Sequence, residues 1–562
     1  MSEYYLSEGE ATLWLVLLLV FFFLMAGCAV PLTLRELQRR KVSLTDDETA
    51  DFWYTARNSQ NWFSIALSVC ATSAGAWMIY TPSEAAVMGG WWALIGYCVG
   101  IFLAPLAIII FGPQFREMLA DGANITDWVG HRFGFASQLW VTVCLVYYMF
   151  IYLATQLKTM GDTINSLSGM DPEKGIIPVA GVTLLYTAMG GLPASILTDQ
   201  IQAVAIWILV CAVCFPLWGW VDVDQESWEK ASVWTDRGFE MAVSLCFGVF
   251  GAEVFNLAFW QRVYAARDER QLRIGFFVGG LWVSLLTFIF GFSGMLLNAQ
   301  NLKQNGGVST IYVPAFTFFQ IYEMEQCTKS FKLMIYILIV CMIASCADSF
   351  QTGMNSVISR TLMKRQLGSK SSLLIGELFL LILNVPCVIF AAVAVRDTNE
   401  NFDGLAVKIT DLFSMADIVT ITLVVPLFSG LWPFTTNVGC LAGMASGMCT
   451  VVIWGWIEFG NLMGGMEMVT MMCFGNHNPE PSDDGAPGCG FYARRAAMIF
   501  PLIVLVTFVV TMVVSYMDRS LQALDTIAKH YSVVPSTTEA WKEPNVQTYG
   551  NPSSSGSQSP KL

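Results

Sequence analysis

Apolar residues in this chain run in long blocks and do not alternate with polar ones. Thirteen blocks stand out, at approximately 11–32, 63–88, 91–112, 137–158, 175–192, 199–221, 239–260, 274–297, 333–357, 372–396, 409–431, 435–456 and 496–516. A helix that crosses a bilayer takes about 20 apolar residues. The pattern therefore predicts an all-α integral membrane protein with about thirteen transmembrane helices. The run at 175–192 is short, and the run at 409–431 carries charges.

The ninth block holds the densest interruption. Leu333 to Met363 begins apolar enough to enter hydrocarbon, then reads Ser345-Cys346-Ala347-Asp348-Ser349. A carboxylate at membrane depth costs about 2.5–3.5 kcal/mol on insertion scales, so it marks a candidate functional site. Residues three and four apart share a helical face, which groups Ser345, Asp348 and Ser349. Their oxygens suit a hard cation. Small-residue packing, with serine as interhelical glue, is the competing reading for the two serines.

Other blocks are broken. Span two crowds small residues from Ala71 to Ala76, then meets Pro82 and Gly89-Gly90, with Glu84 in its outer half. Broken helices at membrane depth line cavities and free carbonyls for ions. Span seven carries Glu253 and Asn256 among Gly248, Gly251 and aromatic residues, and falls where an inverted repeat of span two would fall. Span five ends Gly190-Gly191. The next begins near Thr198-Asp199, which reads as a capped helix N-terminus. Span ten carries Glu377 and Pro386. Span eleven carries Asp411 and a mid-span Asp417.

Composition agrees with a membrane protein. The 562 residues are 55% hydrophobic and 13% charged, with a mean hydropathy of +0.55, against about 25% charged in soluble domains. The net charge of −13 lies mostly in loops and tail, so no nucleic-acid partner is expected. Basic clusters fall in alternate loops: Arg35 to Lys41, Arg116 and Arg132, Arg262 to Arg273, and Arg360 to Lys370. The positive-inside rule then puts the N-terminus outside and the C-terminus in the cytoplasm. Residues 1–10 carry Glu3, Glu8 and Glu10 and no Lys or Arg, so the first helix reads as retained. Of fifteen Cys, most sit within spans as small packing residues. Cys473 and Cys489 share one outer loop where a disulfide is plausible. Asn124-Ile-Thr126 fits a glycosylation sequon but falls in a cytoplasmic loop, so it is expected to be unused. No Cys/His metal spacing, HExxH or Walker sequence occurs, which argues against an enzyme.

Five pieces resemble the sodium/solute symporter family, the group of sodium-coupled proline, glucose, choline and urea carriers. They are Ala66-Leu-Ser68 with Ala71, Tyr186-Thr-x-x-Gly190-Gly191, Thr198-Asp199 before Gln202, Trp260-Gln261-Arg262 with Ala265-Ala266, and Ser345-Cys346-Ala-Asp348-Ser349. The resemblance covers about residues 50–450. It implies a LeuT-type fold of two inverted five-helix repeats, spans 2–6 and 7–11, with one extra N-terminal and two extra C-terminal helices. It also implies a sodium site of Ala71, Ala74 and Met342 carbonyls with the Ser345 hydroxyl. The fifth ligand position falls on Cys346, a soft, weak acceptor, so ligation passes to Asp348 or weakens. Asp199 matches a family aspartate tied to coupling near the inner exit. Glu253, Asn256 and Phe259 are the implied solute contacts, and Asp417 lies near the proposed pathway.

The expectation is a sodium-coupled symporter importing a small polar organic solute by alternating access, with sodium as co-substrate and no cofactor. The same fold run by protons, suggested by Cys346, Asp348 and Asp417, is one alternative. A transporter-like solute sensor is another. The chain divides into 1–60 (N-terminal helix and basic loop), 61–222 (first repeat), 238–431 (second repeat), 432–517 (spans 12–13) and a disordered tail at 518–562. The plasma membrane is the expected location. The solute and the oligomeric state are left open.

Overall fold

The computed structural model describes residues 6–39, 46–311, 314–359, 369–400, 409–460, 462, 466 and 494–532. Cys473, Cys489 and the tail beyond Ser532 lie outside them, whereas residues 518–532, assigned from the sequence to a disordered tail, are helical. The described residues are helical, with a single isolated bridge between Gln60 and Ala266. In order the helices are α1 (Glu8–Arg39), α2 (Asp46–Thr55), α3 (Trp62–Ser73), α4 (Trp77–Met118), α5 (Ile125–Phe133), α6 (Phe135–Ser168), α7 (Glu173–Trp220) and α8 (Gln225–Ala231). Then come α9 (Asp236–Val254), α10 (Leu257–Ala265), α11 (Glu269–Gln304), α12 (Lys329–Val357), α13 (Ser369–Glu400), α14 (Ile409–Phe428), α15 (Asn437–Phe459) and α16 (Arg494–Ser532).

Two of these are not single rods. α4 has 42 residues, about 63 Å if straight, twice the roughly 30 Å hydrocarbon core. Gly90 breaks it with φ 59° and ψ −145°, a conformation that suits glycine. The chain doubles back there. Thr81 Oγ1 meets the Tyr97 hydroxyl at 2.7 Å across 16 residues, which a straight helix would hold about 24 Å apart. A Cβ at Gly90 would sit 2.2 Å from the Val233 carbonyl. α7, with 48 residues, breaks likewise at Gly191 (φ 56°, ψ −163°), against Trp53 of α2.

Among the described residues ten helices are long and apolar enough to cross a membrane, or up to eleven with the bent pair α9–α10 as one span. That tally does not reach the expected thirteen. The difference lies in residues 62–89, split by a break, and residues 173–190, which are short.

Burial sorts the helices. In the most apolar windows of α12 and α14, 83% of residues are buried, against 28% in α1 and α16 and 33% in α13. The polar ninth and eleventh spans therefore sit at the centre, and the uniformly apolar ones face lipid. Small residues let the inner helices close up. A Cβ at Gly96 would lie 2.5 Å from Ala242 Cα, and one at Gly294 would lie 2.6 Å from Ser83 Cβ. Such seams allow membrane helices to approach closely. A 3-10 segment, Pro314–Glu323, lays Phe316 and Phe319 on Tyr80 at 5.5 and 5.0 Å. Asn124 is fully buried and caps α5 through Thr126 N and Asp127 N, so burial alone removes it as a glycosylation acceptor.

Candidate ion and solute sites

α3 ends at Ser73, and helix resumes at Trp77. Ala74 leaves the helix at φ −76°, ψ 62°. Gly75 N turns to Ser73 O at 2.8 Å, and Ala76 N turns to the Gln156 side chain at 3.2 Å. The carbonyls of Ala71 and Thr72 thereby lose the donors that a continuing helix would bring. α12 supplies others. Ser345 Oγ donates to Ala71 O at 3.1 Å, and Cys346 Sγ donates to Thr72 O at 2.9 Å. Met342, one turn earlier, is buried on the same helix.

Asp199 completes this group. Ser345 Oγ lies 3.1 Å from its Oδ1. Its Oδ2 accepts from Ser68 Oγ and from Arg262 Nη2, each at 2.7 Å. Arg262 Nε also donates to Ser68 Oγ at 2.9 Å, and Arg262 Nη2 reaches Ser349 Oγ at 3.4 Å. Ser349 Oγ in turn lies 3.1 Å from Thr72 Oγ1. The Arg262–Asp199 pair is fully buried. Four helices, α3, α7, α10 and α12, are thus tied at one point.

Three sequence expectations are corrected here. Thr198-Asp199 is not a helix N-terminus: helix continues from Leu192, about two turns earlier. Thr198 Oγ1 bonds back to Ser195 O at 2.9 Å. The face assigned to Ser345, Asp348 and Ser349 also divides. Asp348 Oδ1 accepts from Thr187 of α7 and, at 3.4 Å, from Thr352. Its Oδ2 is buried without a hydrogen-bond partner. Among the described residues, Asp348 therefore bonds across the helix packing to α7 alone, while Ser345 reaches both α3 and α7. Cys346 meets the Thr72 carbonyl closely and the Ala71 carbonyl only at 3.9 Å, so the thiol does not sit in the hydroxyl's place.

The second group joins the two broken spans. α9 stops at Val254 and α10 starts at Leu257 with a bend of 51°. Asn256 makes the restart, its side chain accepting from Ala258 N at 3.1 Å. Glu253 sits beside it. Glu253 Oε2 accepts from Ser73 Oγ at 3.0 Å and from Asn256 Nδ2 at 3.4 Å. The break in α3–α4 and the break in α9–α10 are therefore bonded to each other. On α14, Asp417 Oδ1 accepts from the Tyr152 hydroxyl at 2.8 Å. Rings fill the space around these acids. Trp77 stacks on Tyr97 (centroids 5.7 Å) and meets Phe413 edge-on at 6.3 Å. Phe413 lies 4.7 Å from Tyr152. Phe259 is not part of this group: it packs on Phe276 of α11 at 5.8 Å.

Sequence reading gave no site role to Arg262, Thr187, Ser73 and Tyr152, although Arg262 and Thr187 stand in the motifs that carry the family resemblance. Arg262 stood at the end of an apolar run, where a basic residue reads as a topology signal. Nothing local marks Ser73 and Tyr152.

A family model described as the sodium:solute symporter family matches residues 53–447. The spermidine transporter DUR31 of Candida albicans is 22% identical over 460 residues, 80% of this chain and 82% of that protein. The high-affinity proline transporter PutP of Bacillus subtilis is 24% identical over 418 residues, 70% and 85% of the two chains. A solved structure of a Na+-coupled sialic acid symporter, substrate-bound and outward-open, superposes with a TM-score of 0.64 at 14% identity. The match covers 90% of this chain and 97% of that one, and it establishes the LeuT-type fold. The chain belongs to the sodium:solute symporter family and is a Na+-coupled solute symporter.

Proposed function

We propose that Na+ binds where the Ala71 carbonyl and the Ser345 hydroxyl meet across α3 and α12. The 3.1 Å contact between them, at a helix break and beside the Asp199 carboxylate, is the observation that carries this reading. The Ala74 and Met342 carbonyls complete the oxygen set, and Cys346 contributes little. The soft sulfur already serves the Thr72 carbonyl. Sodium there replaces the Ser345 proton as the partner of the Ala71 oxygen and holds α3 against α12. Asp199 couples the ion to the inner half through Arg262. The solute binds where the two breaks meet, beside Glu253, Asn256 and Asp417. The Ser73–Glu253 bond links that place to the ion site two residues away on α3. Coupling of this kind is worth about 1–3 kcal/mol in general.

The same reading takes the chain across the membrane thirteen times, counting residues 62–89 and 173–190 as spans two and five. Spans 2–6 and 7–11 then form the two repeats. The N-terminus lies outside and the C-terminus in the cytoplasm of a plasma-membrane protein. The solute moves inward. The named relatives carry solutes as unlike as spermidine and proline, so their names leave the solute of this chain undecided. The test is uptake by purified protein in liposomes, with a panel of labelled solutes and an inward sodium gradient. Accumulation that disappears when potassium replaces sodium is expected. Accumulation unchanged by that replacement, or following a proton gradient alone, contradicts the ion site.

A further inference from the structure

The charges buried in the helical core do not balance locally. Lys158 is paired with Asp162 at 2.6 Å, and Arg262 with Asp199 at 2.7 Å. Glu253 and Asp417 are just as buried, at 4% and 2% exposure, yet among the described residues neither has a basic partner. Their bonds come only from the neutral donors Ser73, Asn256 and Tyr152. A buried carboxylate is costly unless it is paired or neutralised. The two also act together: Tyr97, Tyr148 and Tyr152 each lie within the field of both.

Three further features point to what would pair with them. First, the walls are aromatic. Trp77, Tyr97, Phe413 and Tyr152 form a continuous chain of ring contacts, and Tyr148 joins Tyr152 at 4.5 Å. Ring faces attract cations. Second, the Tyr148 hydroxyl is buried with no hydrogen-bond partner, so its oxygen is open to an N–H donor. Third, Glu253 lies where the two helix breaks meet. A carboxylate-bearing solute would meet two acids of its own sign. A neutral solute would leave both acids unpaired.

We infer that the solute is an organic cation carrying primary or secondary ammonium groups, best a linear diamine or polyamine, held between Glu253 and Asp417 against the Trp77–Tyr97–Tyr152 rings. This rests on the symport reading above. Two acids on different helices, α9 and α14, fit two ammonium groups on one flexible chain better than a single point charge. The N–H groups satisfy the carboxylate oxygens and the Tyr148 oxygen. The methylenes between them lie on the rings.

The experiment is uptake by the full-length protein in liposomes under an inward sodium gradient. Labelled 1,4-diaminobutane and spermidine are compared with proline, urea and sialic acid. Sodium-dependent accumulation of an amine is expected, with proline, urea and sialic acid excluded. Glu253→Gln and Asp417→Asn should each raise the amine concentration for half-maximal uptake at least ten-fold. Asp417→Glu, which keeps the charge, should retain most of the uptake, and it separates charge from folding. Sodium-driven accumulation of a neutral or anionic solute with the amines inert would overturn the inference and leave the symport reading standing. So would neutral variants that shift only the sodium dependence, because the acids would then serve a second ion. Sodium-independent behaviour of every solute would instead remove the symport reading, and this assignment with it. Saturable protection of the detergent-solubilised protein against heat by 1,4-diaminobutane, lost in Glu253→Gln, gives the same answer without transport.

Discussion

At the scale of single residues, Ser345 holds together the ion site we propose. Its hydroxyl touches both the Ala71 carbonyl and the Asp199 carboxylate. Removing it in Ser345→Ala deletes one oxygen ligand and leaves Ala71 O without a donor. A loss of about 1–1.5 kcal/mol predicts roughly a ten-fold rise in the sodium concentration for half-maximal uptake, read directly from sodium titrations. Arg262 carries a different burden. Both members of its pair with Asp199 are fully buried, and breaking such a pair by removing one partner costs about 3–5 kcal/mol. Arg262→Ala should therefore lower the midpoint of thermal unfolding sharply in detergent. An unchanged midpoint would mean that water or another group already serves Asp199. Ser345 and Glu253 were conspicuous in the sequence, because polar side chains at membrane depth are expensive, whereas Asp199 read locally as a helix cap and was singled out only by the family resemblance. Their partners were not legible. Ser68 and Ser73, which donate to Asp199 and Glu253, lie on another helix, and a hydroxyl within an apolar run bonds its own backbone as readily as a neighbour's side chain. Helical periodicity also grouped Asp348 with Ser345. Three residues of spacing leave enough angular offset for Asp348 to meet Thr187 of α7 while Ser345 sits where α3 and α7 meet.

At the scale of elements, the glycine pairs were legible and the short helices were not. Gly89-Gly90 and Gly190-Gly191 punctuate apolar runs in the sequence, and Gly90 and Gly191 take the positive φ that ends them. Gly90→Ala and Gly191→Ala should each destabilise the protein. A Cβ would be forced into the Val233 carbonyl in one case and into Trp53 in the other. Gly181 is helical with open space around it, so Gly181→Ala should be neutral or stabilising by up to about 1 kcal/mol. Thermal unfolding of the three variants side by side checks this, and equal effects would contradict it. α2 and α5 escaped because each is about ten residues long and mixes charge with aromatic residues, too short and too polar to register as spans. The two breaks are bonded through Ser73 and Glu253. Ser73→Ala should loosen that link, so the sodium and solute half-saturation values should both rise, each by a few-fold. A change in the solute value alone would show that the bond serves binding and not coupling.

At the scale of the molecule, α12 and α14, which carry Ser345, Asp348 and Asp417, occupy the middle, and α1, α13 and α16 the rim. A sequence scan can find the spans by hydropathy, but it orders them only along the chain. Their arrangement follows from tertiary pairing: α12 lies against α6 and α7, and α4 against α9 and α11. The count of crossings was the least secure part of the reading, because helices broken at glycine or at a ligand site do not look like simple rods. The central claim is that sodium is held between α3 and α12 by Ala71 and Ser345. Equilibrium binding of radiolabelled sodium to purified protein tests it most directly and needs no knowledge of the solute. Saturable binding to the wild type and to Gly181→Ala, weakened about ten-fold in Ser345→Ala, is the result this account predicts. Wild-type sodium affinity in Ser345→Ala would contradict it and move the ion elsewhere in the molecule.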